Sequence, residues 1–234
     1  AEQAPLALGA LLQGFVTADV AVAGALLGHL DPTQIQRGLV TAVLRLLFIL
    51  HAEARGLLPP RLTALHQRPC AQASAHEFGD WAAVLAHCTA LARHDGGALF
   101  DLDLHPFLAR DAHGTAPRIP DTALRLTLDA LLLVDGAPVD LQTLELEHIG
   151  GVYEAMLDRR VVADPSGLRL VTDTTRRRCG THYTPRALTG AIVRTTLEPS
   201  LVNADAARIL ALRLCDPALG CGAFLLEACR QLGE

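Results

Sequence analysis

The sequence predicts a mainly α protein: a helical N-terminal domain over residues 1–150, followed by a β-α unit that opens an α/β fold. Three observations carry this. Apolar residues recur at three- and four-residue spacing through the N-terminal part, the period of a helix with one buried face. β-prone runs gather only after Val161. An apolar run of strand length, "ARILALRLCD", then leads through a glycine turn into a last helical stretch, the pattern of a buried parallel strand and its helix.

Asp31 before Pro32 is a good N-cap with proline at the first helical position. Ile35, Leu39, Val43, Leu46, Leu47 and Leu50 follow on one helical face, and Gly56, Pro59 and Pro60 mark the stop. "EFGDWAAVLAHCTALARHDGG" predicts a second helix ending at Gly96 and Gly97, "IPDTALRLTLDALLLV" a third, and "DLQTLELEHIGGVYEAMLDRRV" a fourth. "VVADPSGLRLVTDT" reads as a hairpin about its "DPSG" turn. "RRRCGTHYTP" is a loop, "RALTGAIVRTTLEPSL" a helix, and "GAFLLEACRQL" a helix after the glycine turn. Residues 151–178 therefore form the end of a helix and a hairpin connector.

Half of the 234 residues are hydrophobic, enough for a sizeable core. The net charge of −5 argues against a nucleic-acid coat and leaves room for a local basic patch. The six cysteines show no CxxC spacing and no zinc-like partnership with histidine, so reduced thiols and no metal are expected. The N-terminus lacks the basic region of a signal peptide. The apolar run "GLVTAVLRLLFIL" is broken by Arg45 and is shorter than the ~20 residues of a membrane span. A soluble, cytoplasmic protein without a membrane partner is expected.

The chemistry-bearing stretch is Asp216, Pro217, Ala218, Leu219, Gly220, Cys221, Gly222, Ala223 and Phe224. Glycine there lets a ligand approach the backbone closer than a Cβ would permit, and the helix start beyond it offers unpaired N–H groups. Taken alone, the glycine pair also fits a ligand-free strand-to-helix turn. About thirty residues upstream, "CGTHYTP" places Gly180, Tyr183, Thr184 and Pro185 before a helix. Thr-Pro is an ordinary N-cap pair, and its hydroxyl and N–H groups also suit a carboxylate.

Together these stretches resemble the amino-DNA methyltransferases. "DPALGCGAF" is similar to the family's first S-adenosyl-L-methionine (AdoMet) motif, Asp-Pro-Ala-Cys-Gly-Ser-Gly-Ala-Phe, with Leu219 and Cys221 replacing the usual Cys and Ser. "CGTHYTP" resembles the Gly-x-Tyr-Tyr-Thr-Pro segment that precedes it, with His182 in place of an aromatic residue. "HIGGVYEAMLDRRV" and "LRLLFILHAEARGLLP" resemble helical segments of the large restriction-modification and phage-defence enzymes, the BREX- and DISARM-like type.

The resemblance implies a gamma-class, adenine-N6-specific DNA methyltransferase, with the closing loop first and the glycine motif second. Residues 179–234 would be the start of its α/β core. It implies S-adenosyl-L-methionine as cofactor, held by Tyr183, Thr184, Pro185, Asp216, Pro217, Ala218, Gly220, Gly222, Ala223 and Phe224. The partners implied are double-stranded DNA, engaged by the complete protein, and other subunits of a defence system.

The family's catalytic motif, Asn or Asp followed by Pro-Pro and an aromatic residue, is missing. Such a motif accepts hydrogen bonds from a flipped base's amino group and aligns it for attack on the methyl. "LLPPRL" has the prolines but leucine before them and Arg61 after, so it is a helix stop. The expectation is an N-terminal part of the enzyme, cut after the first cofactor motif and inactive by itself. Methylation of RNA or protein is compatible with the same residues. So is a non-catalytic helical interaction or DNA-clamping module, or a subunit of a split methyltransferase.

Arg176, Arg177 and Arg178 are candidates for DNA phosphate or cofactor carboxylate, although a charge run of this kind is usually a solvated loop. His51, His87 and His148 read as surface or satisfied core histidines. Glu53 and Arg55 suit capping and pairing, and Trp81 and Tyr153 suit the core.

Overall fold

Asp31 starts the longest helix with a reciprocal cap. Its carboxylate accepts hydrogen bonds from Thr33 N at 2.7 Å and Gln34 N at 3.0 Å, while Gln34 Oε1 accepts from Asp31 N at 3.0 Å. The computed structural model describes residues 3–68, 78–93, 98–111, 113–144, 146–165, 167–173, 184, 186–219 and 222–233. Within it, helix α2 (Pro32–Ala54) buries Ile35, Leu39, Val43, Leu46, Leu47 and Leu50, the face its spacing predicts.

The described chain is mainly α. Around α2 stand α1 (Ala4–Ala21), α3 (Arg61–Gln67), α4 (Asp80–Ala92), α5 (Pro106–Ala109), α6 (Asp121–Leu132) and α7 (Leu146–Leu157). α1 lies along α6, because Gly14 presents no side chain at their crossing. A Cβ there would sit 2.7 Å from Ile119 Cγ2 and 2.8 Å from Ala123 Cβ. Phe15, Trp81 and Phe107 meet edge to face in the same core, with centroids 5.5 and 5.6 Å from Phe15.

Arg45, Glu53 and Asp121 are charged side chains buried here, and all three are matched; Asp121 Oδ1 accepts from Gly79 N at 2.9 Å and Asp80 N at 3.0 Å. Arg45 donates from Nε to Leu99 O at 2.5 Å and from Nη2 to Asp101 O at 2.6 Å. Glu53 accepts from Leu62 N, Thr63 N and the Thr63 hydroxyl at 2.8, 3.0 and 2.8 Å, so it caps α3, as expected of it. α1 and α2 have 18 and 23 residues and are long and apolar enough to cross a bilayer by length and composition. The shorter apolar run inside α2 lacked that length. In this fold their apolar faces belong to the common core.

β3 (Arg159–Asp164) and β4 (Gly167–Thr172) form the expected hairpin, antiparallel, with Asp164 opposite Gly167. It packs on α1 and α2, and Val161 is buried in the helical core. Gln36 clamps it there: Nε2 donates to Arg159 O at 2.5 Å, and Oε1 accepts from Val161 N at 3.0 Å.

Several expectations need correction. The third helix ends at Leu132. Leu133 and Val134 (β1) pair with Ala137 and Pro138 (β2) across Asp135 and Gly136, both at positive φ, as an Asp-Gly hairpin turn requires. The fourth helix does not run from Asp140 to Val161. Asp140 caps a single 3-10 turn, Leu141–Thr143, and Arg159 onward is strand. The strand expected over 208–216 is not formed. Asp205 accepts from Arg208 N at 2.8 Å and caps a short helix, α9 (Ala206–Leu210), and Leu212–Asp216 has no regular structure. A strand is held by hydrogen-bonded neighbours, and no described strand pairs with this segment, so local capping wins. The helices α8 (Arg186–Leu201) and α10 (Ala223–Gly233) form as predicted.

Candidate functional site

α8 and α10 pack together over a small core of Val193, Leu197 and Ala228, flanked by Phe224. Polar contacts fix their alignment. Glu227 on α10 is only 7% exposed and faces the first turn of α8, 3.5 Å from Arg186 Nε. Arg230 Nη1 lies 3.3 Å from the same carboxylate, and Gln231 Nε2 donates to it at 2.9 Å and to Gly190 O at 3.1 Å. The Gln231 hydrogen bond, with Arg230 and Arg186 adding, holds the Glu227 carboxyl below the usual carboxylate range.

This pairing joins the two motif regions. Arg186 follows Thr184 and Pro185 directly, and Glu227 stands one helical turn beyond Phe224. Thr184 is half-buried and outside any helix. Gly222 carries φ +81 and receives the first α10 hydrogen bond, Leu226 N to Gly222 O at 2.9 Å. Its own N–H donates to Leu219 O at 2.7 Å, closing the turn. That φ is the left-handed region that glycine occupies without strain. Ala223 and Phe224 open α10.

Asp216 is turned into its own loop. Its Oδ1 accepts from Ala218 N at 2.9 Å, whereas Oδ2 is shielded from solvent and has no hydrogen-bond partner among the described residues. Pro217 and Ala218 are exposed. Asp216, Leu214 and Pro217 line a pocket of about 250 Å³ with Ile192, Val193 and Phe224. Its walls are apolar apart from the Asp216 carboxylate and a few small groups, and it is smaller than the ~300–1,000 Å³ usual for a ligand pocket. It can take part of a cofactor beside an acceptor carboxylate, not a whole one. Tyr183, Pro185, Gly220 and Arg176, Arg177 and Arg178 lie outside the described residues.

Sequence reasoning missed Glu227 and Gln231; their i, i+4 spacing, with Arg230 between them, is the signal that could have found them. His87 is also not as expected. It is buried with neither ring nitrogen hydrogen-bonded among the described residues, so it is neither surface nor satisfied. His51 is satisfied, its Nδ1 2.8 Å from Leu141 O. No family model, curated protein or solved structure matches the chain.

Proposed function

We propose that these residues carry the closing loop and first cofactor motif of an AdoMet-dependent DNA methyltransferase, adenine-N6-specific, serving restriction-modification or phage defence. The observation that carries the reading is the Arg186–Glu227 pair. It ties the end of the Thr184-Pro185 segment to the helix that starts at Gly222, so two motifs thirty residues apart in sequence belong to one packed unit. Asp216 adds a shielded, unpartnered carboxylate oxygen, a group that suits a ligand donor.

S-adenosyl-L-methionine would supply the methyl group. Thr184 and the Asp216–Phe224 turn would hold it, the turn through its backbone at Gly222 and Asp216 through its acceptor oxygen. The 234 residues contain no Asn/Asp-Pro-Pro-aromatic motif, so on this reading the group that positions the target amine would have to come from outside them. Double-stranded DNA, other defence subunits and a cytoplasmic location follow from this reading.

The test is calorimetric titration of AdoMet into a polypeptide that unites these residues with the catalytic motif. Gly222→Val and Asp216→Ala should abolish binding while leaving the fold intact, because a Cβ at Gly222 is strained and blocks the approach. Unchanged affinity for Gly222→Val would remove the cofactor assignment.

A further inference from the structure

A separate pocket of about 750 Å³ opens between α2, the segment before α5, α7 and β3. Arg37 and Arg160 line it from opposite elements, and Gln36 dictates that arrangement. Its two hydrogen bonds, to Arg159 O and from Val161 N, straddle Arg160 and fix that backbone beside the helix turn bearing Arg37. Two arginines thus line one cavity, and no carboxylate among the described residues stands within ion-pair distance of either. Asp173 also lines the pocket, which leaves the two arginines in excess by one charge.

Two like charges that one carboxylate offsets only in part favour a site that an anion can complete. The remaining walls say what kind. Thr33 and Thr41 contribute hydroxyls, and His105 contributes a ring whose Nε2 lies 3.2 Å from Thr41 Oγ1. Burial, with Arg45 and Arg37 adding, lowers the His105 pKa, so the ring is a neutral hydrogen-bonding group at pH 7. Tyr153 supplies an aromatic surface, and Val40 and Leu44 an apolar floor. Planar, forked guanidiniums suit the oxygens of a phosphate, and the aromatic and apolar walls suit a flat organic body.

We propose that this pocket binds an organic phosphate of nucleotide size, its phosphate between Arg37 and Arg160 and its base against Tyr153. The site is distinct from the Asp216–Gly222 turn and independent of the methyltransferase reading. The phosphate could belong to a free nucleotide or to the phosphorylated end of a nucleic-acid strand.

The experiment is calorimetric titration of the 234-residue chain with adenosine monophosphate, adenosine and a short single-stranded oligonucleotide bearing a terminal phosphate. At least one phosphate probe should bind, and adenosine should bind far more weakly. Replacing both exposed arginines, Arg37→Gln with Arg160→Gln, should weaken phosphate binding roughly tenfold or more through the loss of charge-assisted hydrogen bonds, with an unchanged melting temperature. The stronger of the two phosphate probes identifies the source. Failure of both phosphate probes to bind, binding no tighter than adenosine, or full affinity in the double variant would overturn the proposal. AdoMet binding by the united polypeptide does not enter this readout, so the two readings fail separately.

Discussion

Glu227 stands 3.5 Å from Arg186 and brings the starts of two helices into register across the α8–α10 contact. Because its folded pKa is lowered, it contributes stability that is fully present above the unfolded glutamate value of ~4.3 and lost as pH falls through the folded value. Glu227→Leu should loosen the pair by about 1–3 kcal/mol, since Arg186, Arg230 and Gln231 lose a shared acceptor. Amide hydrogen exchange in α10 is the measurement. Exchange in α8 and α10 as slow as wild type at pH 7 would show that the carboxylate does not hold them.

Gly14→Ala should destabilise the helical core by about 1–3 kcal/mol, the usual cost of overpacking. The added methyl would meet Ile119 and Ala123 at less than contact distance, and both belong to buried structure with little room to yield. Urea denaturation reads this directly. A midpoint equal to wild type would mean that α1 and α6 separate without cost.

Glu53→Ala should cost about 2–4 kcal/mol, because it deletes a buried acceptor serving two backbone N–H groups and one hydroxyl at the start of α3. Glu53→Gln should cost less, since its carbonyl oxygen keeps one of those bonds. Equal losses for the two variants would assign the effect to packing.

His87 provides a pH signature of the core. Burial, with Arg61 adding, lowers its pKa, so the folded protein binds the proton less readily than the unfolded chain. The associated stability is fully present above the ordinary histidine value of ~6.5 and is lost as pH falls from there through the lowered folded value. Thermal melting should therefore weaken from pH 7 toward pH 5, and His87→Leu should flatten that slope. An unaltered slope in the variant would place the titrating group elsewhere.

How much of this was legible depended on whether a signal was local or needed a partner. Asp31 and Pro32 specify a helix start by themselves, and the apolar period of α2 specifies its face, so both appear as read, with Gln34 completing the cap in the structure. Asp164 and Gly167 bracket their own turn, so the hairpin was equally plain. The Asp135-Gly136 turn was just as local and was overlooked inside an apolar run. The stretch after Asp205 failed for a different reason. Its apolar residues suit a strand only when neighbouring strands pair with it. Without them Asp205 caps a helical turn, leaving Leu210 85% exposed. The candidate site was half legible: the glycine turn shows in the sequence, whereas the Glu227 clamp depends on α8 and α10 meeting in space.

The 234-residue chain by itself should transfer no methyl group. Gly222 precedes α10 and Asp216 offers an acceptor, but nothing in the sequence has the Asn/Asp-Pro-Pro-aromatic arrangement that positions a target amine. The one Pro-Pro pair, Pro59 and Pro60, precedes α3, where Pro60 is the N-cap residue. Cofactor binding should also be weak. The pocket beside Asp216 holds about 250 Å³, too little for a whole cofactor, and Leu214 on its wall is 41% exposed. Incubation with labelled AdoMet and unmethylated duplex DNA should give background incorporation only. Adding the polypeptide that bears the catalytic motif should raise it well above background, and Gly222→Val should return it there. Incorporation by the isolated chain would mean that its own residues position the amine, and the division of labour argued from Asp216 and Gly222 would be wrong.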